Sequence, residues 1–86
     1  MPLDCFEKLE ALVDGADAGA IEEANALLAR FRDRSEQTKR AIEEFMLDFK
    51  TLVFVVETGE EGFQKPIRKL ARARLAKLKH LVSQTA

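Results

Sequence analysis

Apolar residues return along this chain at intervals of three and four, the period of one helix face, so the pattern predicts an all-helical fold. Leu3, Phe6, Leu9, Leu12 and Val13 alternate with Asp4, Glu7 and Glu10 and mark a short amphipathic N-terminal helix. The stretch from Gly15 to Gly19 ends it. Asp17 is placed to cap the next helix, and Glu22 and Glu23 suit the positive end of its dipole.

The central segment carries the strongest signal. Counting in sevens from Ile21 gives Ile21, Leu28, Ser35, Ile42, Phe49 and Val56, and three residues further on Ala24, Phe31, Thr38, Phe45 and Leu52. Nine of these eleven positions are apolar and the phase never slips, the signature of a coiled-coil-like seam. With no glycine or proline between Gly19 and Gly59, the expectation is one long amphipathic helix over about 20–57. It would run about 55 Å at 1.5 Å per residue. A competing reading breaks it at Arg32-Asp33-Arg34-Ser35-Glu36-Gln37, which holds no apolar residue and where Ser35 can cap a new helix. The β-branched run Thr51–Val56 would also suit a strand, but a lone strand has nothing to pair with.

Thr58-Gly59-Glu60-Glu61-Gly62 reads as a turn, with Gly59 suited to a left-handed cap and Thr58 and Glu61 spaced like a capping box. Proline is tolerated in a first helical turn, so Pro66 places the start of the last helix between Phe63 and Pro66, and the helix then runs over about 64–83. Its apolar residues Ile67, Leu70, Ala71, Leu75, Leu78, Leu81 and Val82 fall within an arc of about 140°. So short a turn makes this helix an antiparallel neighbour of the central one.

Two consequences follow for the surface. Met46, Leu47, Val53, Phe54 and Val55 lie off the seam, and Leu47 and Phe54 face nearly away from it. One hairpin cannot cover both sides, so these five residues are the expected protein interface and the fold is expected to be completed by oligomerisation, a dimer first. Counting outward from the turn also brings Arg74, which sits inside the apolar arc of its helix, close to Asp48, a candidate ion pair fixing the hairpin register. An arginine snorkelling to water is the alternative.

Composition fits a single folded domain over 1–86: 47% hydrophobic and 34% charged residues, with two prolines and four glycines. A chain of this size buries a modest fraction of its surface, which again favours a partner. Acids stand at the N-terminus where a secretory signal needs bases, and no apolar run is long enough to span a membrane; a cytoplasmic protein is expected. The net charge of −1 is unevenly spread. Residues 1–61 hold all fifteen acids and seven bases, whereas 62–86 hold seven bases, His80 and no acid. Lys65, Arg68, Lys69, Arg72, Lys77 and Lys79 therefore form a basic face that can attract an anionic partner, nucleic acid included, or neutralise acids elsewhere in the fold.

Catalytic chemistry is not legible. Cys5 is the single cysteine and His80 the single histidine, and no glutamate stands three residues before a histidine as helical di-metal sites require. The adjacent glutamates of Glu22-Glu23, Glu43-Glu44 and Glu60-Glu61 diverge by about 100° on a helix. Neither enzyme activity, a cofactor nor a metal is expected. Two functions remain: a small helical protein-interaction module, of adaptor, chaperone, inhibitor or accessory-subunit type, and a nucleic-acid-binding protein using the basic helix over 65–79.

Overall fold

The computed structural model describes the backbone of residues 2–84 and the side chains of 4–83, so the side chain of Leu3 lies outside the described residues. Among them are four α-helices and no strand: α1 (Pro2–Gly15), α2 (Ala20–Leu28), α3 (Glu36–Glu57) and α4 (Glu61–Gln84), with a 3-10 turn over Ala29–Phe31 after α2. α3 and α4 form an antiparallel hairpin, α1 packs on α4 and α2, and α2 folds back on α3.

The single central helix expected over 20–57 is therefore two helices. Ser35 is extended (φ −164°, ψ 164°), and its Oγ accepts the Thr38 N–H at 3.1 Å, satisfying one of the amides left without a partner at a helix start. Ser35 Oγ also donates to Thr38 Oγ1 at 3.0 Å, which lets the fully buried Thr38 enter the core with its hydroxyl satisfied. A straight helix would have left most of its apolar stripe in water. Reversal at 32–35 brings both halves of that stripe onto one core.

The seam itself survives the break. Ala24, Leu28, Phe31, Thr38, Ile42, Phe45, Phe49 and Leu52 are all buried, Ile21 and Val56 are half-buried, and only Ser35 is exposed. Phe31 stacks on Phe6 of α1 with ring centroids 5.8 Å apart, and Phe45 on Phe49 one turn later at 5.5 Å. From the solvent side, the Arg34 guanidinium covers the Phe31 ring at 5.1 Å.

The helix ends show which local signals hold. Asp17 Oδ1 accepts the Ala20 N–H at 3.0 Å, but the N-cap position of α2 is Gly19, and the left-handed residue after α1 is Ala16 (φ 47°) rather than a glycine. Ala16 is completely buried, so its methyl contributes packing that glycine lacks. At the other turn Gly59 is left-handed (φ 75°). The Glu60 N–H reaches back to the Val55 carbonyl and the Gly59 N–H to that of Val56, the paired bonds of a Schellman ending. The Thr58 hydroxyl bonds back to the carbonyls of Phe54 and Val55, so it closes α3 and does not box the start of α4. α4 begins at Glu61, earlier than Pro66 implied. Pro66 removes one bond, to the carbonyl of Gly62, and Gly62 is exposed, so water can serve that carbonyl.

Ser35→Ala should destabilise the fold by about 1 kcal/mol. Urea unfolding followed by circular dichroism checks this; an unchanged midpoint would mean that the reversal does not depend on the cap.

Candidate interaction surface

α3 packs against α4 on one side and α2 on the other, so its environment divides into flanks. Phe45, Phe49 and Leu52 point into the core. Met46 and Val53 sit toward α2, where they line hollows shared with Ile21, and Val55 lies on the flank bearing Asp48, toward α4. All three are buried by the chain itself, so they are not surface residues and leave the expected interface. For Met46 and Val53 the physical reason is the fold-back of α2, which covers a second side of α3 that a straight central helix would have left open.

Leu47 and Phe54 are different. They stand one heptad apart on the side of α3 opposite the core and are 67% and 63% exposed. Immersing either side chain in an apolar contact is favourable by roughly 1.5–3 kcal/mol. Beside Phe54 a hollow of about 450 Å³ is lined by Ile21, Lys50, Val53, Glu57 and Thr58. A second, of about 270 Å³, lies between Arg32, Glu43, Met46, Leu47 and Lys50. Both are open, Lys50 lines both, and each combines apolar with charged side chains. Phe63 and Leu70 of α4 are also exposed, at 60% and 44%. Leu70 was part of the expected apolar arc, whereas Phe63 preceded it and carried no packing signal.

Charge is distributed unequally about α3. On its α4 flank Arg74 donates from Nε to Asp48 Oδ2 at 3.0 Å and from Nη1 to Glu44 Oε2 at 3.2 Å, and Lys77 Nζ lies 3.8 Å from Glu44 Oε1. This four-residue cluster straddles the hairpin seam, with the Asp48 side chain the most enclosed at 18% exposure and Lys77 exposed. On the outer side, by contrast, Lys39, Arg40, Glu43, Lys50 and Glu57 are exposed, and none of them forms an ion pair among the described residues.

The basic face of α4 is partly occupied within the chain. Arg68 Nε donates to the Val13 carbonyl at 3.3 Å, serving one of the carbonyls left over at the end of α1, and Arg72 pairs with Asp14, an acid otherwise poorly placed at a helix C-terminus. Lys77 belongs to the Glu44 cluster. Lys65 and Lys69 are exposed and Lys79 is half-buried. Lys65, Arg68, Lys69 and Arg72 line a shallow hollow of about 290 Å³.

Cys5 is buried, and its Sγ approaches the Leu27 carbonyl at 3.4 Å. Burial pushes the thiol above its ordinary value, against the smaller opposing effects of Arg30 and Lys8. His80 is exposed. Among the described residues no group of three or more His, Cys, Asp and Glu side chains is arranged to hold a metal, and no helix is long and apolar enough to cross a membrane.

Arg74→Leu should cost about 1–2 kcal/mol, because it leaves Asp48 half-enclosed without its cation. In a double-mutant cycle with Asp48→Asn by chemical denaturation, the coupling should be about 1 kcal/mol; strict additivity would make the cluster a bystander. No protein-family model, curated protein or solved structure matches the chain.

Proposed function

We propose that this protein is a small helical protein-interaction module, acting in the cytoplasm through helix-helix association rather than by catalysis. A second copy is its first partner and another helical protein the second. One observation carries the reading: Leu47 and Phe54 stay exposed on the outer side of α3 after the four described helices have packed together. A large aliphatic and an aromatic residue beside open hollows are the type of anchor that a partner helix buries. The Arg74 cluster supports the role by holding α3 and α4 in one register, so that this face is rigid before binding. Adaptors, chaperones, inhibitors and accessory subunits all work in this way.

A second reading rests on the basic hollow of α4, in which Lys65 and Lys69 are free to meet phosphates beside Arg68 and Arg72. It makes the protein a nucleic-acid binder. It is the weaker of the two because both arginines already serve α1.

Tagged wild-type protein should retain a helical partner from native extract, its own untagged copy or another chain, and Phe54→Glu should lose it while keeping the same circular dichroism spectrum. Retention of the same set by both would sink the interaction reading. For the second reading, nucleic-acid titrations at low and high salt should show a steep loss of affinity with salt, and no binding at low salt ends it.

A further inference from the structure

The outer side of α3 bears an arrangement of charges complementary to itself when read backwards. Along the stripe facing away from the core, Arg40, Leu47 and Phe54 recur every seven residues, all three exposed. Beside the stripe, on one flank, stand Lys39, Glu43, Lys50 and Glu57, whose signs run plus, minus, plus, minus. None of these four is paired within the chain among the described residues, although the acids on the opposite flank, Glu44 and Asp48, both are.

We propose, building on the interaction reading above, that the occupant of this face is a second copy of the chain, bound through α3 against α3 in antiparallel, twofold-symmetric fashion about Leu47. In an antiparallel pair related by a twofold axis, a flank of one helix meets the same flank of the other. With the axis at Leu47, the two Leu47 side chains touch at the centre. Lys50 of each copy comes within about one residue, 1.5 Å along the axis, of Glu43 of the other. Lys39 falls within about two residues of Glu57 by the same count. Four ion pairs form, all between opposite charges. Arg40 of one copy lies opposite Phe54 of the other, where its guanidinium can cover the ring. The like-charge approach of Glu36 to Glu57 falls at the two ends, where Lys39 offsets it.

Length supports the same axis independently of charge. α3 is 22 residues long, from Glu36 to Glu57, and its midpoint lies between Met46 and Leu47. Antiparallel pairing about Leu47 therefore overlaps the helix along its whole length, about 33 Å. A parallel pair about the same stripe sets the alternating flank against the opposite one, where Glu44 is already engaged with Arg74 and Lys77. Leu47 then meets Leu47 and Phe54 meets Phe54 without the charge pattern being used.

The purified full chain tests this. Sedimentation equilibrium from micromolar to millimolar concentration should give a dimer. Glu43→Lys and Lys50→Glu should each weaken it by about fivefold, and the two together should restore it to within about twofold. In a Cys5→Ala background, Leu47→Cys should cross-link to itself on oxidation. Phe54→Cys should not do so alone, but should cross-link when mixed with Arg40→Cys. A monomer at every concentration overturns the proposal yet leaves the interaction reading intact if Phe54→Glu still loses a foreign partner from extract. Self-cross-linking of Phe54→Cys equal to that of Leu47→Cys overturns the antiparallel geometry alone. All substituted positions apart from Cys5 are exposed, and a circular dichroism spectrum matching wild type shows that each variant folds.

Discussion

α3 can pack between α2 and α4 only because the chain reverses over 32–35, where one hydroxyl replaces a missing backbone acceptor. Ser35 holds the Thr38 amide and, through Thr38 Oγ1, brings a polar side chain into the core at no cost in unsatisfied hydrogen bonds. From that reversal follow the return of α2 along one flank of α3, the burial of Met46 and Val53, and the stacking of Phe31 on Phe6. Remove it and the apolar seam becomes a stripe too long for two short helices to cover. A local cap of modest strength thus decides which surfaces the protein keeps.

Much of this was legible in the chain. The heptad positions named every large residue of the central seam that is buried, because a helix period marks the face that avoids water whatever that face touches. The same regularity concealed the break, since both helices present their seam to one core and the count runs through Ser35 without slipping. The signal against continuity was present in the charged run Arg32–Gln37 and in a serine three residues before Thr38. At the surface, Leu47 and Phe54 could be found because they lie opposite the seam. Met46, Val53 and Val55 could not be separated from them, since how wide a face is covered depends on where α2 and α4 come to rest. Arg74 and Asp48 were within reach of simple counting from the Gly59 turn, whereas the partnership of Arg72 with Asp14 joins positions that no local pattern relates.

The two charged regions of the fold do different work. Around Glu44 and Asp48, and again around Asp14, three cations of α4, Arg72, Arg74 and Lys77, pair with acids of the earlier helices. Part of the uneven charge of the sequence is in this respect an internal match between segments. The charges on the outer side of α3 are exposed and form no ion pair among the described residues.

The bonds from α4 to the end of α1 span 55 and 58 residues, against 26 for Arg74 to Asp48 across the hairpin. Contacts just as local as the hairpin's tie α1 to the segment after it: Cys5 to Leu27 spans 22 residues, and Phe6 stacks on Phe31. Each doubling of the loop to be closed costs only about 0.6 kcal/mol in entropy. The molecule is thus two locally closed pairs, α1 with α2 and α3 with α4, and the bonds of Arg68 and Arg72 to the end of α1 are the long-range clasp between them.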